Sequence, residues 1–197
     1  MWRLFPALLV VILAIGCSSR PPDDRDYAAK IAAERAAKDE AFRRDANPIP
    51  EERKAELLPL AYFDIDPRYD VPASLTPSHD ETAIPMPTST GTMRQMRRVG
   101  ILVFSLNAQP LRLTAFVEVG APNLNRLFVP FSDLTSGTDT YPAGRYLDLD
   151  RTATGVYALD FNRAYNPYCY YNAAYECPFP PAENRLGIPV RAGETLK

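Results

Sequence analysis

Apolar and polar positions follow three rhythms along the 197-residue chain. After Met1-Trp2-Arg3, the stretch Leu4 to Ile15 is an apolar run broken by Pro6 alone, and Gly16-Cys17 follows at once. From Tyr27 to Arg44 the chain is rich in Ala, Lys, Glu and Arg, with neither Gly nor Pro. Opposite charges recur there at a spacing of four, in Glu34/Lys38, Arg35/Asp39, Asp39/Arg43 and Glu40/Arg44, which predicts an exposed helix. Asp23, Asp24 and Asp26 stand where a helix N-terminus prefers negative charge, and Pro48 and Pro50 end the pattern. The apolar residues of this helix (Tyr27, Ile31 and Phe42) are few, so weak docking on the body is expected. A second, short helix is expected over Glu51 to Leu58, stopped by Pro59.

Beyond Pro59 the period changes to two. Tyr69, Val71, Ala73 and Leu75 alternate with Asp70, Pro72 and Ser74, the pattern of a half-buried strand whose proline suits an edge. Gly100 to Leu106 is a nearly continuous apolar run that reads as a central strand, and Asn107 to Pro110 as a turn. Leu111, Leu113, Ala115, Val117 and Val119 then alternate with Arg112, Thr114, Phe116 and Glu118, which completes a hairpin. Further strands are expected at Arg126 to Phe131, Arg145 to Asp150, Val156 to Asn162 and Ile188 to Arg191. Short strands between turn residues, with no helical pattern among them, predict an α+β but mainly β fold. Its antiparallel sheet is closed into a barrel or sandwich and preceded by an N-terminal helix. The expected divisions are a leader at 1–16, a tether at 17–24, a helical segment at 25–58 and the β domain at 59–197.

The leader has the positive start and short apolar run of an export signal, and it is short for a bilayer crossing. Its end, Ala14-Ile15-Gly16-Cys17, resembles the bacterial lipobox, whose cysteine receives diacylglycerol and becomes the new N-terminus. Lipidation of Cys17 is therefore expected, with attachment to a membrane through acyl chains worth about 0.8 kcal/mol per buried CH₂. Ser18 is not the Asp that causes inner-membrane retention in many such proteins. In a cell with two membranes, the outer one, on its periplasmic side, is the expected site. Ser18 to Asp24 is small, polar and proline-containing, and its seven residues reach at most about 23 Å, at ~3.3 Å each.

Charge and rare residues remove several functions. Lys and Arg number 22 against 24 acidic residues, and loss of Arg3 with the leader leaves 21 against 24. Such a balance offers nucleic acid no basic footprint. His79 is the single histidine and the cysteines number three, which leaves no ligand set for a multi-histidine metal centre. The nine glycines are scattered, so no phosphate-cradling loop is present. Asp133, Asp139, Asp148 and Asp150 are turn carboxylates without the spacing of a calcium loop. No cofactor and no metal are expected.

The C-terminal third carries distinctive wording. Phe131-Ser132-Asp133-Leu134-Thr135-Ser136-Gly137 leads into Thr140-Tyr141-Pro142-Ala143-Gly144-Arg145-Tyr146. Then follow Leu159-Asp160-Phe161-Asn162-Arg163-Ala164-Tyr165-Asn166-Pro167-Tyr168-Cys169 and Cys177-Pro178-Phe179-Pro180-Pro181-Ala182-Glu183-Asn184-Arg185. Upstream, Lys38-Asp39-Glu40-Ala41-Phe42, Leu60-Ala61-Tyr62-Phe63-Asp64 and Met86-Pro87-Thr88-Ser89-Thr90 fit the same series. Together they resemble the bacterial family catalogued as domain of unknown function 1684, many of whose members are lipoproteins. The likeness runs from about Ala28 to Gly193. Pro142 departs from it, standing where Gly is common. The resemblance implies an identity and no mechanism.

Several residues of that third invite chemistry. Cys169 and Cys177 enclose a Pro- and Tyr-rich loop. In an exported protein a disulfide between them would stabilise by about 2.5 kcal/mol, with a pair of buried thiols as the alternative. Tyr165, Tyr168, Tyr170, Tyr171 and Tyr175 crowd the same loop; they either pack it onto the sheet or offer aromatic faces to sugars, peptides or partner surfaces. Arg145, Asp160, Asn162 and Asn166 suit a buried ion-pair network or a grip on a carboxylate, amide or hydroxyl, and Glu183 with Asn184 could add a second carboxylate. The sequence thus points to a membrane-tethered envelope lipoprotein acting as a non-catalytic binding or structural module. Its partner would be an envelope protein or a small ligand. The alternative is an enzyme with hydrolase-like acid/base chemistry on Asp160, Arg145 and Glu183.

Overall fold

The structure, a computed structural model, describes residues 23–45 and 48–197. The leader, Cys17 and most of the tether lie outside the described residues.

Helix α1 spans Asp24–Arg44 with Asp23 as its N-cap, the Asp23 carboxylate accepting from the Arg25 N–H at 3.0 Å. Of the expected four-apart charge pairs, Glu40/Arg44 forms, at 3.7 Å. The other charges turn to the body. Glu34 pairs with Arg163, Lys38 with Glu194, and the Asp39 carboxylate accepts from the Leu60 N–H at 2.9 Å. Arg35 donates to the Phe63 and Asn162 carbonyls at 3.0 and 3.3 Å. With Ile31 and Phe42 buried, one face of α1 is keyed to the body by polar and apolar contacts together. This corrects the expectation of weak docking: the helix substitutes directed bonds to the body for apolar area. Helix α2, Glu51–Leu57, follows as expected.

Seven strands form one antiparallel sheet: β1 Asp70–Pro77, β2 Ala83–Pro87, β3 Met93–Leu106, β4 Gln109–Glu118, β5 Arg126–Phe131, β6 Arg145–Asp150 and β7 Val156–Asp160. The order is β6-β5-β4-β3-β1-β7, with β2 also on β3. The ends approach one another through a bridge from Tyr146 in β6 to Tyr165 beyond β7, with N···O distances of 2.9 and 3.0 Å. The sheet is thus nearly closed into a barrel. Its interior is filled by alternate residues, among them Leu102 and Phe104 of β3, Leu113 and Ala115 of β4, Leu127 and Val129 of β5, Leu147 of β6 and Leu159 of β7.

Strand β3 is longer than its apolar run because it serves two partners. Its first half pairs with β2, and its second, beyond an irregularity between Arg98 and Gly100, with β1. A Cβ at Gly100 would lie 2.4 Å from the Thr76 carbonyl oxygen, so glycine admits the close approach at which the strand bends. Strand β2 falls in a stretch that reads as a Pro-rich loop, since Pro85 and Pro87 interrupt any strand signal. Its ladder runs on one side, with β3, and on the other side Pro87 only accepts, from the Phe179 N–H at 2.8 Å, so neither proline is asked for a donor there. The strand expected at Ile188–Arg191 is absent. That segment passes as irregular chain, its backbone groups bonded by buried side chains in place of a strand ladder.

Candidate functional site

The residues singled out for chemistry fall into separate neighbourhoods. Arg145 points into the barrel end and is fully buried. Its guanidinium donates to Asp133 at 2.9 Å and to the Val190, Ala192 and Glu194 carbonyls, while Nε finds no acceptor. Asp133 also accepts from the Thr135 and Val190 N–H groups. The pair therefore fastens the C-terminal segment across the barrel end. Burial pulls the Arg145 pKa down, and the Asp133 charge opposes that.

Asp160 and Asn162 do meet, but their partner is α1. The Tyr27 hydroxyl donates to Asp160 at 2.8 Å and accepts from the Asn162 amide at 2.9 Å. Asn166 binds the Thr195 carbonyl, and its backbone N–H donates to Glu194 at 2.8 Å. Glu194, buried and without any sequence signal, also accepts from Lys38 and the Tyr171 hydroxyl. Glu183 lies at the surface in an ion pair with Arg98 at 2.9 Å. Asn184 is fully buried and spans two strands. Its amide donates to the Thr114 and Pro130 carbonyls at 2.9 and 2.7 Å and its oxygen accepts from the Thr114 N–H at 2.7 Å. It joins β4 to β5 where their ladder has the single register pair Phe116–Phe128. Asp160, Arg145 and Glu183 share no partner.

Cys169 and Cys177 are free thiols side by side, the Cys169 N–H donating to the Cys177 sulfur at 3.0 Å. A hydrogen bond from the Cys177 thiol, helped by Tyr141 and Ser89, lowers the Cys169 pKa to about 6 against the effect of burial. The same contact, with burial, pushes the Cys177 thiol up.

Beside them opens a cleft of about 570 Å³ on the outer face of β5 and β6. Strand alternation that sends Leu127 and Leu147 into the core turns Arg126, Phe128, Tyr146 and Asp148 outward to form its floor. Arg94, Met96 and Glu118 wall it from β3 and β4, Lys38 from α1, and Tyr165, Tyr168, Tyr175 and Glu176 from the chain after β7. The rings interlock edge to face: Phe128–Tyr146 at 4.7 Å, Tyr146–Tyr165 at 5.7 Å and Tyr168–Tyr175 at 5.3 Å. Arg126 and the Tyr165 hydroxyl both donate to Asp148, at 3.0 and 2.8 Å. Arg94 lies between Glu176 at 3.0 Å and Glu118 at 3.4 Å. Burial raises the Tyr146 and Tyr165 pKa values, so their hydroxyls stay protonated, and hydrogen bonds from Thr92 and Arg94 hold Glu176 below its usual range.

Of the ligand-binding candidates read from sequence, Tyr168 lines this cleft, and the crowding of tyrosines had pointed to it. Arg94, Glu118, Arg126 and Glu176 had no such pointer, since each lies on a different element. The signal available was the outward alternation of aromatic and charged positions on β5 and β6. Among the described residues no group of three or more His, Cys, Asp or Glu side chains is placed to hold a metal ion. Asp133, Asp139 and Asp148 are each paired with an arginine.

Comparison with curated proteins found no match. Among solved structures, the chain is similar to the solution NMR structure of an uncharacterized protein from gene locus rrnAC0354 of Haloarcula marismortui. The two are 35% identical, the match covers 88% of this chain and 96% of the other, and the TM-score is 0.69. A family profile described as "Protein of unknown function (DUF1684)" matches residues 56–195, and the chain belongs to that family.

Proposed function

We propose that the protein is a non-catalytic binding module of the cell envelope, held to a membrane through a lipid on Cys17 and taking its ligand in the tyrosine-lined cleft. The observation that carries this reading is a division of labour among the polar groups. Arg145, Asp160, Asn162, Asn184 and Glu194 are buried and bonded to other parts of the chain, whereas the cleft presents aromatic and charged side chains to an open volume. The anchor is supported by Ala14-Ile15-Gly16-Cys17 and by the short interval before α1 begins at Asp24. The oxidising compartment this implies suits a Cys169–Cys177 bridge that would brace the cleft wall.

Photo-crosslinking in intact cells tests the site. A photoreactive residue replacing Tyr168 is expected to give a defined adduct, and one replacing Ser105, exposed on β3, is expected to give none. Equal labelling at both positions, or no adduct from the cleft, overturns the reading.

A further inference from the structure

We propose that the ligand of the cleft is an uncharged oligosaccharide, a sugar ring lying against the tyrosine wall with its hydroxyls shared among Asp148, Glu118 and Arg126. This rests on the binding reading above and adds the ligand class. The first ground is charge. Every cation facing the cleft already has a carboxylate within bonding distance: Arg126 has Asp148, Arg94 has Glu176 and Glu118, and Lys38 has Glu194. An anion such as a phosphate or carboxylate therefore meets cations that are already neutralised, with no net positive charge to draw it in. A hydroxyl both donates and accepts, so a vicinal diol can span a carboxylate and the neighbouring guanidinium and leave the pair intact.

The second ground is shape. The floor is the outer face of a sheet, made of side chains of β5 and β6, and the outer edge of β6 is bridged at Tyr146 by Tyr165. An extended peptide adds to a strand edge, whereas this cleft presents side chains on a sheet face. Flat rings suit a flat ligand, and Tyr168, held edge-on by Phe42 at 6.2 Å and Tyr175 at 5.3 Å, keeps 42% of its surface exposed. The volume of about 570 Å³ lies within the roughly 300–1,000 Å³ of small-molecule sites. Protonated phenols at Tyr146 and Tyr165 add no charge of their own.

The test is a titration of the isotope-labelled full chain in detergent micelles, followed by NMR. The probes are neutral tetrasaccharides (chitotetraose, cellotetraose, maltotetraose), a cationic one (deacetylated chitotetraose), an anionic one (tetragalacturonate) and a set of tetrapeptides. A neutral tetrasaccharide is expected to shift the cleft resonances saturably, with affinity unchanged between low and high salt. Tyr168→Ala is expected to weaken it about five- to tenfold and Asp148→Asn about tenfold or more, both with unaltered backbone spectra elsewhere. Should Tyr168→Ala disturb the fold, Tyr168→Leu replaces it. Binding that survives both substitutions, or that falls steeply with salt, overturns the proposal. If a charged sugar or a peptide moves the cleft resonances and no neutral sugar does, the ligand class is wrong and the cleft remains the binding site. If no probe moves them, both fail.

Discussion

Arg145→Ala separates a structural arginine from a ligand-gripping one. The guanidinium is fully buried, and its loss leaves the Asp133 carboxylate, itself buried, without its ion pair. Breaking one partner of a buried pair costs about 3–5 kcal/mol. The Val190, Ala192 and Glu194 carbonyls lose their donor as well, which keeps the expected cost at about 4 kcal/mol even with partial relaxation. Domains are typically stable by about 5–15 kcal/mol, so a large share would be gone. At about 2–4 °C per kcal/mol for a chain of this size, Tm should fall by about 8–16 °C. Urea unfolding monitored by circular dichroism gives the free energy directly. Arg145→Lys, which keeps charge and loses the fork, should fall between wild type and Arg145→Ala. Combining Asp133→Asn with Arg145→Ala should cost at least about 1 kcal/mol less than the sum of the single changes, because the two share one interaction. A Tm shift under about 2 °C, or strict additivity, would show that the pair does not hold the C-terminal segment.

Asn184→Ala should cost about 3 kcal/mol in the same assay, since three hydrogen bonds across the β4–β5 junction are lost in a buried setting; near-wild-type stability would mean the thin ladder needs no stitch. In the β3–β4 hairpin, Asn107 and Ala108 both have positive φ, 51° and 61°, so Ala108→Gly should stabilise by about 0.5–1 kcal/mol, and destabilisation would contradict that assignment of strain. Thiol counting on denatured, unreduced protein from the envelope should find no free cysteine at Cys169 or Cys177; two reactive thiols would remove the proposed bridge. In reduced protein, alkylation of Cys169 should rise as pH climbs through about 6, because the hydrogen bond from Cys177 favours the thiolate, and a midpoint near the ordinary thiol value would refute it. Cys17→Ser should abolish lipid labelling and leave the leader at 1–16 uncleaved; a mutant that is still lipid-labelled, or that still loses its leader, would refute the anchor.

The strands were legible where one face of each is buried. Arg126 to Phe131 and Arg145 to Asp150 match the structure at both ends, since alternation records which side meets the core. Strand β2 escaped because Pro85 and Pro87 are tolerated on a strand paired along one side, a fact about neighbours that its own composition cannot carry. Ile188 to Arg191 erred in the other direction. Its apolar residues are buried as a strand's would be, but Arg145 and Asp133 take the Val190 backbone groups that a ladder would need.

Charged residues were harder to place for one physical reason. A salt-laced solvent face and a docking key look the same along the chain, since Glu34, Lys38 and Asp39 satisfy the four-apart rule whether or not they pair with each other. What decides is whether a partner from elsewhere offers a better-shielded bond. Exposed pairs on a helix are worth about 0.3–0.5 kcal/mol, whereas a bond to a charged group is worth about 1.5–3 kcal/mol. Buried Glu194 therefore draws Lys38 away from Glu34 although it is 156 residues distant, while Glu34 turns to Arg163 in a two-bond pair that stays at the surface, 2.8 and 2.9 Å long. The cleft follows the same logic at the opposite end of burial. Arg126 and Asp148 pair across neighbouring strands at a surface, with side chains 60% and 21% exposed, and the Tyr165 hydroxyl that also reaches Asp148 leaves the pair unsealed. Exposure of an already neutralised pair beside tyrosines is what makes the cleft fit for an uncharged ligand, and full burial of the equally well paired Arg145 and Asp133 is what makes that pair a fastening.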